Sequence, residues 1–169
     1  MNKNLPLSNI VVLDLTNVLS GPFATQILSD LGAEIIKVEK PNGDDSRKFG
    51  PFIKKRSSYF ISLNRGKKSI VVDFNNEEDK KIFKKLLAIS DVIIDNFKPG
   101  TLEKYGFSSS YLKKNFPLLI QTKISGFGET GPLKENPAYD MIVQAMGGIM
   151  SITGKDQNET YRVGSSIGD

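Results

Sequence analysis

Residues 10–40 constrain this chain most, because they read as strand, loop, helix and strand in unbroken succession. Ile10-Val11-Val12-Leu13, ending at Asp14, is a short apolar, β-branched run of the kind found in strands buried on both faces. Pro22, after Gly21, fits the first helical position, where a missing N–H costs nothing, and Phe23, Ile27, Leu28 and Leu31 then recur at helical spacing. Gly32 fits the left-handed position that ends a helix, and Glu34-Ile35-Ile36-Lys37-Val38 resumes as a second strand. Such a unit implies a parallel sheet with a right-handed crossover. Ligands of open α/β sheets bind outside the carboxyl ends of the strands, which points to the loop at residues 15–21 and the corner at Glu39-Lys40.

The rest of the chain repeats the alternation. Residues 41–58 are rich in turn formers and charge and read as a long loop. Tyr59 to Leu63 is a short apolar run, followed by the basic turn Asn64-Arg65-Gly66-Lys67-Lys68, which suits either a phosphate or a solvated hairpin corner. Strand Ser69 to Phe74 leads to a helix capped by Asn75 or Asn76, with Glu77, Glu78 and Asp79 in its first turn and Ile82, Phe83, Leu86 and Leu87 as its buried face. Lys80, Lys81, Lys84 and Lys85 on that helix read as a solvated face. Strand Val92 to Asp95 ends at Asn96-Phe97-Lys98-Pro99-Gly100, with Thr101 placed to cap a further helical segment. A short helix at residues 108–115 and a buried-strand pattern at residues 118–124 follow. Ser125-Gly126-Phe127-Gly128-Glu129-Thr130-Gly131-Pro132 then opens a glycine loop, and a helix with Met141, Ile142, Ala145 and Met146 runs to Gly147-Gly148. Four strands separated by helices thus bring the loops at 15–21, 39–40, 96–100 and 125–131 to one sheet edge.

Composition narrows the chemistry. At 169 residues one domain is the default, since a chain near this size buries roughly 70% of its unfolded surface. The apolar fraction is 38% and no apolar run reaches the ~20 residues of a membrane helix. The residues before Ile10 lack the apolar core of a secretory leader, so the expected location is the cytoplasm. Without cysteine there are no disulfides and no thiolate metal sites, and no metal is expected. Without histidine, every Ser-His or Cys-His pair is excluded within this chain. A carboxylate nucleophile needs no base, because its ordinary pKa of about 4 leaves it ionised at neutral pH. The net charge of +4 comes almost wholly from lysine, the arginines being Arg47, Arg56, Arg65 and Arg162, which argues against nucleic-acid reading by bidentate forks.

The first loop, LTNVLSGP, has one glycine and so lacks the G-x-G-x-x-G of a dinucleotide site, and no G-x-x-x-x-G-K-[ST] occurs. The residues alone lead to an α/β domain for a phosphate-bearing small molecule. Six blocks go further: LDLTNVLSGPFATQILSDLGAEIIKVEKPNGDD, YFISLNRGKKSIVVDF, DVIIDNFKPGTLEKYGF, ISGFGETGP, AYDMIVQAMGGIM and RVGSSIGD. In that order they resemble the amino-terminal part of a family III coenzyme A transferase of the CaiB/BaiF type.

The resemblance implies a Rossmann-like parallel sheet with flanking helices, residues 1–169 forming the coenzyme A-binding part of a larger enzyme that works as an interlocked homodimer. It implies acyl-CoA and carboxylate substrates, with coenzyme A as substrate and no tightly bound cofactor, and no nucleic-acid or membrane partner. Val18, Leu19 and Ser20 would lie against the coenzyme, Lys40 would face its nucleotide, and Val72, Asn75, Asn96, Phe97 and Lys104 would complete the pocket. Val72 and Phe97 also read as packing residues. Some members carry lysine at the position of Asn75 and arginine at that of Lys104, and lysine for arginine loses the bidentate fork. Tyr139 and Asp140 match a pair beside the family's reaction centre, and Asp169 matches its nucleophile, although by its neighbourhood alone Asp169 reads as an ordinary turn aspartate.

Members are more than twice as long, so the chain is expected to be part of a longer protein and to be inactive by itself. The alternative is a truncated coenzyme-binding or assembly module. A subgroup racemises α-methylacyl-CoA esters with a histidine where this chain has Tyr139, and that acid/base chemistry has no candidate here.

Overall fold

Strand β1 (Val11–Asp14) is apolar on both sides because both sides are covered. In the computed structural model, which describes residues 5–156 and 158–169, Val12 packs with Ile35 and Ile94 on one face and Leu13 with Ile36 and Ile93 on the other. The chain forms two compact units, residues 1–124 and 125–169.

In the first unit, helix α1 (Ser20–Asp30) follows β1 and returns to β2 (Glu34–Glu39), with Gly32 at φ +104° ending the helix where an L side chain would be strained. A 3₁₀ turn (Asp45–Lys48) and a small hairpin, β3 (Phe52–Ile53) and β4 (Arg56–Ser57), lead into α2 (Ser58–Asn64) and β5 (Lys68–Val71). The long loop expected at 41–58 therefore carries structure of its own. Helix α3 (Glu77–Ala88) is capped by Asn76, whose side chain accepts the Glu78 N–H, and leads to β6 (Val92–Asp95). Helices α4 (Thr101–Lys104) and α5 (Ser109–Asn115) precede β7 (Ile120–Lys123). Among the described residues five strands form the parallel sheet in the order β5-β2-β1-β6-β7. The chain winds outward in both directions from β1, so the strand order reverses between β1 and β6, where a crevice opens at their carboxyl ends.

Several elements differ from the sequence reading. Helix α1 begins two residues before Pro22, which is tolerated because the nitrogen of Pro22 still falls among the first four helical positions without an intrahelical partner. Its buried side is Gly21, Pro22, Thr25 and Gln26, while Phe23 is 52% exposed and Ile27 and Leu31 also face out. Gly21 permits this close approach: an added Cβ would stand 2.2 Å from Thr16. The basic turn is divided, with Arg65 and Lys68 exposed and Lys67 turned inward. The Lys67 ammonium is buried and donates to Asp14 at 3.0 Å and to the Pro22 carbonyl, Thr25 and Asn64. On α3, Phe83 and Leu87 are buried but Ile82 is exposed. Gly100, not Thr101, caps α4, and the Thr101 hydroxyl donates back to the Lys98 carbonyl. Strand β7 is an edge, exposed along its length, and Leu118 before it is 92% exposed.

Phe83, Leu87, Leu102, Phe107 and Leu112 of the α3–α5 side close over Leu13, Ile36 and Ile93, with Phe74, Phe83 and Phe107 in edge-on ring contacts 4.8–6.0 Å between centroids. On the other face the layer under α1 is ionic. Burial pushes the Asp14 carboxyl up, but the charges of Lys37 and Lys67 and the hydroxyls of Thr16 and Thr25 outweigh it and hold the group below its ordinary value. Removing one ion strands the other in the interior. Lys67→Met should cost about 3–5 kcal/mol, read as a lower urea midpoint, whereas neighbouring Lys68→Met, which loses only the exposed pair with Glu34, should cost less than about 1 kcal/mol.

Candidate active site

The crevice between β1 and β6 is filled by the loop that leaves β1, and side chains from three directions hold that loop by its backbone. From β1, Asp14 accepts the Thr16 N–H at 2.9 Å and the Thr16 hydroxyl. From β2, the buried Lys37 donates to the Thr16 carbonyl at 2.8 Å and pairs with Asp44 at 2.9 Å. From the end of β6, Asn96 accepts the Asn17 N–H and donates to the Asn17 carbonyl, both at 2.9 Å. Asp44 and Asp45, at the start of the 3₁₀ turn, complete the clamp. Asp45 takes the Asn17 amide at 2.6 Å and returns its own N–H to Asn17 at 3.0 Å, while Asp44 accepts the Val18 N–H at 3.3 Å.

The clamp holds Val18 at φ +70°, left-handed backbone that a β-branched residue adopts only under constraint, at a cost of order 1–3 kcal/mol. Leu19 caps α1 and Ser20 begins it. The three loop residues expected against a coenzyme are therefore held in one fixed conformation at a helix start.

The other expected pocket residues divide by how they are held. Lys40, exposed, pairs with Asp45 at 2.8 and 3.0 Å and is the first cause of that carboxyl falling below its ordinary value. Asn96 is committed to the Asn17 backbone, so it acts on the loop as well as lining the edge. Phe97 is half-buried against the core and Val72 is 1% exposed within it, which gives both packing roles. Asn75 is exposed and donates to Asp73, and Lys104 is exposed on α4. Hydrogen bonds thus join Lys40 to Asn96 through Asp45 and Asn17, and Asp44 holds the Val18 N–H, while Leu19 and Ser20 follow Val18 into α1.

Glu39 braces it. Its carboxylate takes the Arg47 fork at 2.6 and 2.6 Å, the Ser69 hydroxyl and the Asp44 N–H at 2.9 Å, and Arg47 lies 3.7 Å over the Phe60 ring. Sequence reading left Asn17, Lys37, Glu39 and Asp44 without these roles, although one signal was present: a lysine amid the apolar Ile35-Ile36 and Val38 of a doubly covered strand needs a buried partner.

The second unit carries the remaining candidates. Helix α6 (Asp140–Met146) and the 3₁₀ turn Ile149–Ile152 follow the glycine loop, and Tyr139 caps α6 with its side chain 71% exposed. Asp140 is buried. Its carboxylate accepts from Gln144 at 2.9 Å, from the Gly168 N–H at 2.9 Å and, at 3.5 Å, from Arg162, which keeps it below its ordinary value. Partial desolvation, and then the charge of Asp140, push the neighbouring Asp169 carboxyl above its ordinary value. Asp140 and Asp169 are thus two carboxyls with opposed shifts beside one backbone segment. Among the described residues no group of histidines, cysteines or carboxylates could hold a metal ion, and no helix is long and apolar enough to cross a membrane.

The model of CoA-transferase family III matches residues 7–169. The chain belongs to this family. Among curated CoA-transferases of this kind, the acetyl-CoA:oxalate CoA-transferase of Acetobacter aceti is 49% identical over 162 residues, covering 95% of this chain and 42% of the relative. The human succinyl-CoA:glutarate CoA-transferase is 43% identical, covering all of this chain and 39% of the relative. A crystal structure of a CaiB/BaiF family protein from Brucella suis superimposes with a TM-score of 0.91 at 45% identity, over 96% of this chain and 44% of that one. The chain therefore spans about two fifths of the length of the curated relatives it matches.

The Glu39 brace is titratable. Against burial, the Arg47 fork, the Ser69 hydroxyl and the Asp44 N–H bring its pKa from 4.5 to about 2. A carboxyl depressed on folding adds stability that is complete above about pH 4.5 and is lost as pH falls from there towards about 2. Urea melts of the Glu39→Gln variant should accordingly show less loss of midpoint than wild type across that window.

Proposed function

We propose that this chain supplies the coenzyme-binding edge and the nucleophile of a CoA-transferase that moves coenzyme A from an acyl-CoA thioester to a free carboxylic acid. The observation that carries the reading is the loop at residues 16–20, strained at Val18 and clamped on its backbone at the crevice where an α/β sheet binds ligands. A preformed loop binds without the entropy cost of ordering. Family membership and the names of its relatives, which pair acetyl-CoA with oxalate and succinyl-CoA with glutarate, favour a short acyl-CoA donor and a small dicarboxylate acceptor.

In this reading the Asp169 carboxylate attacks the thioester carbonyl and expels coenzyme A thiolate, leaving a mixed anhydride. The thiolate attacks the aspartyl carbonyl, releasing the donor as its carboxylate and forming an aspartyl thioester. The acceptor carboxylate then attacks that thioester and expels the thiolate again, and the thiolate takes the acceptor acyl group to regenerate Asp169. Each nucleophile is an anion already or becomes one as its predecessor leaves, so a chain without histidine suffices. The raised pKa of Asp169 fits the role, since a more basic carboxylate is a better nucleophile. Main-chain N–H groups of the glycine-rich loops can serve as donors to the developing oxyanions. In the racemase of the same family type, the acid/base pair would require a histidine that the chain does not contain.

The test uses the full-length protein. Incubated with acyl-CoA and quenched with hydroxylamine, it should carry a hydroxamate at Asp169, and Asp169→Asn should lose both the label and turnover. Label at another residue alone, or an active Asp169→Asn enzyme, would sink the assignment. Asn96→Ala, which frees the Asn17 backbone, should weaken acyl-CoA binding by about tenfold with Asp169 chemistry intact.

A further inference from the structure

The second unit encloses one polar side chain completely. Gln144, on α6, is wholly buried at 0% exposure, while the apolar Met141, Ile142 and Met146 of the same helix face outward. A buried primary amide is costly unless its donors and acceptor are all engaged. Here they are. Its Oε1 accepts the Val163 N–H at 2.8 Å, and its Nε2 lies 2.9 Å from both oxygens of Asp140 and 3.4 Å from the carbonyls of Val163 and Ser165. Asp140, so oriented, accepts the N–H of Gly168, the residue before Asp169. Gly168 lies so close to α6 that an added Cβ would stand 3.0 Å from the Val143 Cγ1.

From this geometry we propose that Gln144 is the positioning residue for the Asp169 carboxylate, holding residues 163–168 directly at one end and through Asp140 at the other. The proposal rests on the reading of Asp169 as nucleophile. One side chain thereby controls two quantities at once. It fixes the direction from which the carboxylate leaves the backbone, and it fixes the distance of the Asp140 charge beside it.

Gln144→Met in the full-length enzyme keeps the length and bulk of the side chain and removes both amide functions. Its kcat should fall by about 100-fold with the KM for acyl-CoA within about threefold of wild type, the signature of a misplaced reacting group rather than lost binding. Hydroxamate formation at Asp169, counted per folded enzyme, should fall in the same ratio, and the Val163 and Gly168 amides should exchange faster with solvent while those of β1 do not. Gly168→Ala, which pushes the segment off Val143 with Gln144 untouched, should lower kcat likewise. The double variant should be no worse than the poorer single one, because both release the same segment. A purely structural role would lower the thermal midpoint and leave kcat of the folded fraction unchanged, and that result in Gln144→Met overturns the proposal. Should Gln144→Met fail to fold, an unaltered kcat in Gly168→Ala, or wild-type Val163 and Gly168 amides exchanging as fast as free peptide, overturns it instead. Failure of the underlying reading is distinct: wild-type enzyme would give no hydroxamate at Asp169, whatever the amides do.

Discussion

The carboxylate of Asp14 has no exposed surface, and the first unit is arranged to keep it ionised. It ends β1, takes Lys67 from the approach to β5, feels Lys37 from β2, and bonds Thr25 from α1 and Thr16 from the loop between. An unpaired carboxylate there would be strongly destabilising, so the convergence of the three strands and the helix on it stabilises the whole unit. That convergence explains why α1 turns a polar side inward. Thr25, the Pro22 carbonyl and the close contact at Gly21 face the ionic layer, and Phe23, Ile27 and Leu31 are left outside.

The same layer carries out to the sheet edge. Lys37 links it to Asp44, Asp44 reaches the Val18 N–H, and the Asn17–Asn96 exchange ties the loop across the point where strand order reverses. The strain at Val18 persists because each flanking peptide is held from a different element, so relaxing it would require several hydrogen bonds to break together. Stability of the buried layer and the shape offered to a ligand are therefore one problem. In the second unit a smaller network does comparable work, with Gln144 and Asp140 tying the 163–168 segment to α6.

Legibility in the sequence followed the range of the interactions involved. The parallel sheet and the position of the first loop could be read because a parallel strand covered on both faces needs a largely apolar run, which β1 and β6 have and β2 has apart from Lys37. The α3 cap could be narrowed to Asn75 or Asn76 because a cap acts across three residues, and the structure uses Asn76. Strand β7 misled, since its apolar pattern resembles a covered strand while in this chain it is an exposed edge. Lys67 misled in the opposite direction, as a lysine in a turn that goes inward to meet a carboxylate more than fifty positions earlier.

The sequence by itself determined the alternation of strands and helices, the parallel winding, the family, and a chain without histidine or cysteine side chains, because these depend on residue types and local period. Only the tertiary structure decided which side of α1 is buried, that Lys37 and Asp44 meet, that Asn96 grips Asn17 rather than standing free, and that Gln144 lies against the segment before Asp169. Each of these is a pairing of polar groups distant in the chain. Hydrophobic periodicity carries no signal for such pairs, because the partner of a buried charge is chosen by where the backbone brings it and not by its spacing in sequence.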